Sequence, residues 1–159
     1  MPKPSRKPRH FDSPQQEAYL NLWRTYDRLR AVEDELFAEY ELTAQQYNAL
    51  RILRGEHPEP IATLEIAARL ISLAPDITRL LDKLETRGLI LRERPAENRR
   101  QVLIRITPAG LELLASLDDA VRRGHEKQLG HLTTSDLAAL TELLRRAREP
   151  HEGAESSWR

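Results

Sequence analysis

The sequence predicts a mainly α fold with a small β-wing, a winged helix-turn-helix flanked by N- and C-terminal helices. Three observations carry that prediction. Ile77, Leu80, Leu81 and Leu84 recur at i, i+3, i+4 and i+7, which is one apolar stripe of a helix. Beyond Gly88, Leu89–Leu91 and Gln101–Ile106 read as two short strands, the second with Val102, Ile104 and Ile106 on one side. Around their connection Arg92, Arg94, Arg99, Arg100 and Arg105 face only Glu93 and Glu97. A helix with a polar outer face beside a basic hairpin suits one helix in a major groove and a basic loop near a minor groove.

The elements follow in order. Residues 1–12 are proline-rich and carry Lys3, Arg6, Lys7 and Arg9, with almost nothing apolar to bury, so disorder is expected. This tail is either an arm that contacts DNA or a solvated end. Ser13 as N-cap, Pro14 at N1 and Gln16 as capping-box partner start a first helix. Its stripe, including Tyr19, Leu20, Leu22, Trp23, Tyr26 and Leu29, is more than one helix hides within its own subunit, although a simple core helix needs the same stripe. Thr43 with Gln46 forms a second capping box, and Leu42 with Tyr47 a hydrophobic staple. Pro58 and Pro60 keep the following loop irregular. Thr63 is expected to cap a short helix over Leu64–Leu70, and Leu73 to pack inward. Pro75 is expected to open the next helix at N1, where its missing donor costs nothing, and Gly88 to end it in a left-handed cap. Thr107 and Pro108 restart a helix that runs to about Gln128 and breaks at Gly130. A last capping box at Thr133–Asp136 leads into Leu137, Leu140, Leu143 and Leu144 at helical spacing.

Composition bounds the function. The 159 residues suit one domain, and 40% hydrophobic with 31% charged residues is the balance of a soluble, helix-rich protein. The 25 basic residues equal the 25 acidic ones, so any basic footprint is local, in the wing and the N-terminal tail. With no cysteine, disulfides, thiolate metal sites, cysteine nucleophiles and thiol redox sensing are excluded. No apolar run approaches a membrane span, and the basic N-terminus lacks the apolar segment of a signal peptide, so a cytoplasmic location is expected. His10, His57, His125 and His131 lack ligand spacing, and neither a phosphate loop nor a nucleophile elbow occurs. No enzyme, metal or cofactor is expected.

The run DITRLLDKLETRGLI (76–90), the wing PAENRRQVLIRIT (95–107), the PAG that follows it (108–110) and LTAQQYNALRIL (42–53) resemble the multiple-antibiotic-resistance regulator (MarR) family of winged-helix transcription factors. The resemblance extends from about Gln15 to Arg148. It implies a homodimer on double-stranded DNA with a pseudo-palindromic operator, repression as the commoner mode, and in some relatives a small aromatic or phenolic effector. It further implies dimerisation helices at 13–41 and 108–148, a DNA-binding region at 42–107 and a frayed end at 149–159. One departure stands in the turn. Relatives commonly place glycine at the position of Ile71 and a serine or threonine cap near Leu73.

Candidate DNA-binding residues are Pro75, Asp76, Thr78, Arg79, Lys83, Arg92, Arg94, Asn98, Arg99 and Arg100. Arg79 on the outer helix face can fork onto guanine or clamp phosphate, or simply pair with Asp76 or Asp82. Asp76 can accept from a cytosine amino group or orient Arg79, Thr78 is a weaker base-edge candidate, and Lys83 suits phosphate. By resemblance Arg100 is the wing-tip arginine of the minor groove, and Asn98 stands where relatives place an aspartate that fixes it. Arg92, Arg94 and Arg99 would add phosphate contacts. Trp23, Tyr26, Tyr47 and Arg51 are candidate effector-site residues, and equally core and surface. The alternative function is a winged-helix protein-interaction module that reads no DNA.

Overall fold

The computed structural model describes residues 9–158. Residues 1–8, which hold most of the basic tail expected to be disordered, lie outside that range. Six α-helices are described: α1 (Pro14–Ala38), α2 (Ala44–Glu56), α3 (Thr63–Arg69), α4 (Ile77–Thr86), α5 (Pro108–Leu129) and α6 (Thr134–Arg148). Strands β1 (Ile61–Ala62), β2 (Ile90–Glu93) and β3 (Leu103–Ile106) form an antiparallel sheet in the order β1-β3-β2.

Local chemistry explains where most helices begin. The Ser13 hydroxyl accepts from the Gln16 amide at 3.1 Å, although the Gln16 side chain reaches back to the amide of Asp12 rather than that of Ser13. Reciprocal capping boxes form at Thr43–Gln46 and Thr133–Asp136. The buried Thr107 hydroxyl caps α5 by accepting from the Gly110 amide at 3.1 Å, and donates to the Gly88 carbonyl at 2.6 Å. One side chain thus fixes the end of α4 relative to the start of α5. Gly110 allows α5 to sit close to the sheet, because a Cβ there would lie 2.4 Å from the Leu89 carbonyl oxygen. Gly88 adopts φ 71°, the left-handed end that favours glycine.

The core lies under the winged region. Leu50 and Leu53 of α2, Ile66 of α3, Leu81 and Leu84 of α4, Ile90 and Ile104 of the sheet, and Leu114 and Leu117 of α5 are all enclosed. In contrast α1 buries only Phe37, and α6 buries nothing.

Four further expectations need correction. Asp76, not Pro75, starts α4: its carboxylate accepts from the Arg79 amide at 2.9 Å, its φ of −134° is non-helical, and Ile77 is therefore the first helical residue. Thr63 is the first residue of α3 rather than its cap, since its amide is drawn to the Val102 carbonyl and Ala62 takes the cap position without a side-chain bond. Leu73 is 89% exposed, not packed inward, because the core beneath the turn is already filled by Ile66 and Leu70. The strands are displaced as well: the first ends at Glu93 and the second begins at Leu103, with Ile90 opposite Ile106 and Arg92 opposite Ile104. The added strand β1 pairs Ile61 with Ile104.

The chain beyond α6 turns through a 3-10 segment, Glu149–His151. It returns to place the Trp158 ring 5.4 Å from the Arg148 guanidinium carbon, a cation–π distance.

Candidate nucleic-acid interface

The polar face of α4 and the wing enclose an open cleft of about 530 Å³. Thr78 and Asp82 line it from α4, Thr63 and Leu64 from α3, and Arg92, Arg94 and Arg100 from the wing. The stripe Leu80, Leu81 and Leu84 is buried, which turns Thr78, Arg79, Asp82 and Lys83 to the surface.

The wing arginines divide into two groups. Arg92 is committed to α4. Its Nη1 lies 2.7 Å from Asp82 Oδ1 and 2.6 Å from Glu85 Oε2, and its Nη2 donates to the Thr78 carbonyl at 3.2 Å. Two acids at i and i+3 on α4 thus hold β2 against the helix, and Arg92 acts as a positioning residue. Arg105 is likewise occupied. It pairs with Glu93 at 3.0 Å and donates to the Pro58 carbonyl, and the Glu93 hydrogen bond raises its pKa further. These ties hold the base of the wing.

The remaining cations of α4 and of the wing tip are free of ion pairs. Arg79, Lys83, Arg94, Arg99 and Arg100 are exposed and make no ion pair among the described residues. The tip backbone is nevertheless ordered by its own bonds. Asn98 Oδ1 accepts from the Arg100 amide at 3.3 Å, the Asn98 amide donates to Pro95, and Arg94 donates to the Arg99 carbonyl at 3.1 Å. Asn98 therefore shapes the turn that carries Arg100 and leaves the guanidinium unpaired. Lys83 sits on the other side of α4, in a shallow groove with Arg87, Leu42 and Gln46. Asp76 occupies the N-terminus of α4 with one oxygen as cap, so that end is already neutralised by a protein carboxylate.

The four candidate effector residues are not gathered in one chain. Tyr47 stacks on Phe37 with ring centroids 4.5 Å apart, and the Arg51 guanidinium carbon lies 6.0 Å from the Tyr47 centroid. Burial pushes the Tyr47 phenol up, against the opposing pull of Arg51 and Arg54, so the ring remains a neutral donor. Trp23 and Tyr26 are exposed on α1, and Trp23 stands fourteen residues before Phe37, about 21 Å along the axis at 1.5 Å per residue.

Two contributors lie outside the sequence-predicted set. Asn48 Oδ1 accepts from the Ile71 amide at 2.8 Å, and Gln45 Nε2 donates to the Leu73 carbonyl at 3.3 Å, so α2 holds the turn that precedes α4. Their signal was faint: polar residues at i and i+3 on a helix that otherwise buries Tyr47, Ala49, Leu50 and Leu53.

Comparison with known proteins agrees with this architecture. The MarR family pattern matches residues 42–102. The chain is 58% identical to a MarR transcription factor of Planctomyces limnophilus over 85% of this chain and 98% of that one, with a TM-score of 0.69. It is 30% identical to the homoprotocatechuate degradative operon repressor of Escherichia coli, over 66% of this chain and 70% of that one. In fold alone it matches Sco3205 of Streptomyces coelicolor, a MarR family regulator solved in complex with DNA, with a TM-score of 0.83 at 18% identity over 96% of each chain. The chain belongs to the MarR family of winged-helix transcription regulators.

Proposed function

We propose that the chain is a homodimeric repressor of a pseudo-palindromic operator, with α4 in the major groove and the wing tip in the flanking minor groove. One observation supports this most directly: Arg94 and Arg100 line the α4–wing cleft without an ion pair, with exposed Arg99 next to Arg100 on the wing and exposed Arg79 next to Thr78 on α4, while Arg92 and Arg105 are used up in bracing the wing. Unpaired guanidiniums on a braced frame suit phosphates and base edges, since no protein carboxylate competes for them. In this reading Arg79, Thr78 and the second oxygen of Asp76 face base edges, and Pro75 abuts the backbone. Arg100 enters the minor groove, Asn98 presents it, and Lys83, Arg94 and Arg99 meet phosphates.

Residues 42–107 form the DNA-binding region. Residues 13–41 and 108–148 supply dimerisation helices, consistent with the exposed Tyr19, Leu22, Trp23, Tyr26 and Leu143. The protein acts in the cytoplasm, where the operator lies. A small aromatic or phenolic acid relieves repression by preferring the state with splayed recognition helices. The stacked Tyr47 with Arg51 offers such a ligand a planar face and a cation, and Trp23 and Tyr26 join them only through a second copy of the chain. The Escherichia coli relative is named for an operon that degrades one aromatic acid, homoprotocatechuate.

The test is fluorescence anisotropy on duplex DNA from upstream of the gene, with competitor DNA in excess, across a salt series. Wild type should bind with a log–log salt slope of about −0.9 per phosphate contacted. Arg79→Ala should weaken binding by about 1–3 kcal/mol at one base position, and Arg100→Ala should weaken it and flatten the slope by about 1. Homoprotocatechuate added to the complex probes the effector arm. Binding indifferent to both arginines would favour a protein-interaction module instead.

A further inference from the structure

The turn between α3 and α4 carries Leu73 with 89% of its surface exposed, the largest exposure among the exposed large hydrophobic residues. A single exposed leucine is ordinary on a protein surface, but this one is held in place. Asn48 fixes the turn at the Ile71 amide, Gln45 fixes it at the carbonyl of Leu73 itself, and Asp76 closes it as the cap of α4. The backbone is tethered on both sides, while the side chain points away from a core already filled beneath it. It stands immediately ahead of the helix whose outer face carries Thr78 and Arg79.

We propose that Leu73 is a specificity-determining residue that packs against the C5-methyl of a thymine in the major groove; this rests on the DNA-binding reading above. The N-terminal end of a recognition helix is the part that meets base edges. A leucine there has no hydrogen bond or charge to offer phosphates or polar base edges. The thymine methyl is the one apolar group that the major groove displays. The tether keeps the backbone of the turn from rearranging, so little backbone freedom is lost on contact. Dimer symmetry places one such contact in each half-site.

The probe is a duplex selected by the full-length protein from a random pool, remade with deoxyuridine in place of each thymidine in turn. Pairing is kept and only the methyl is removed. One position per half-site should weaken wild type about fourfold, the worth of one buried methyl. Leu73→Ala should bind the methylated duplex more weakly and be blind to that replacement, whereas Leu73→Met should retain the preference. Leu73→Ala should also leave the salt slope unchanged, because an apolar contact releases no counterions. Replacements that cost wild type and Leu73→Ala equally, with Arg79 still required, would overturn the leucine contact and leave the DNA reading standing. Failure of the wild type to select any duplex would sink both.

Discussion

The winged region and the flanking helices are built on opposite principles. Between Leu42 and Leu117 the chain encloses most of its large apolar side chains, with Leu50, Leu81, Leu84, Ile90, Ile104 and Leu114 all at zero exposure and Leu64, Ile71, Leu73 and Leu91 as the exposed exceptions. The first half of α1 and all of α6 do the reverse: Tyr19 and Trp23 are 62% exposed, Leu143 is 60% exposed, and α6 buries no residue. Both regions show apolar residues at helical spacing in sequence. The difference teaches that an apolar stripe states a need for burial and leaves open which chain satisfies it. The winged region largely satisfies that need within one chain, whereas the flanks leave much of their stripe exposed.

Substitution at one leucine in each region separates the two most sharply. Leu84→Ala empties a fully enclosed site and should cost about 2–5 kcal/mol of stability, seen in urea unfolding at any protein concentration. Leu143→Glu should scarcely change the secondary structure of a single chain, yet remove an apolar contact from both copies of a symmetric interface. At about 1.5 kcal/mol or more per buried leucine, the dimer dissociation constant should rise at least about a hundredfold in analytical ultracentrifugation. Equal and concentration-independent losses for the two variants would erase the distinction between the regions.

What was legible in the sequence follows the same division. Capping by Thr43, Thr107 and Thr133 and the left-handed Gly88 depend on chemistry within a few residues, and they stand where the sequence places them. The start of α4 was misplaced because Pro75 and Asp76 are both good opening residues, and only the carboxylate reaching the Arg79 amide decides between them. Hydrophobicity alone points Leu73 inward, and it does not report that Ile66 and Leu70 are already buried there. In the candidate site, residue types marked the basic surface but not its division of labour. Arg92 and Arg100 look alike in sequence, and only the packing of β2 on α4 brings Asp82 and Glu85 to the former. For the effector residues, the rise along α1 separates Trp23 from Phe37, and only the stacking of Tyr47 on Phe37 shows that Tyr47 is separated from Trp23 as well.

The smallest expected effect tests what holds α6 in the absence of buried contacts. Its start is tied by the Asp136 carboxylate, which accepts from the Thr133 hydroxyl at 2.7 Å and the Thr133 amide at 3.2 Å. The hydroxyl bond first, and the amide bond second, hold the Asp136 carboxyl below the usual carboxylate range. Further along, Arg145 donates to Glu142 and lowers that carboxyl as well, but exposed pairs of this kind contribute little. Because the folded Asp136 pKa is depressed, its contribution is present above the unfolded value of about 4 and is lost as pH falls through the folded value. Asp136→Ala should therefore raise amide exchange in α6 relative to wild type at neutral pH, with the gap closing below about pH 4. Amides of α4, held by buried leucines, should exchange alike in both proteins across that range. An α6 that exchanges as slowly as α4 in monomeric protein, whatever the pH, would mean that the helix finds its burial within one chain.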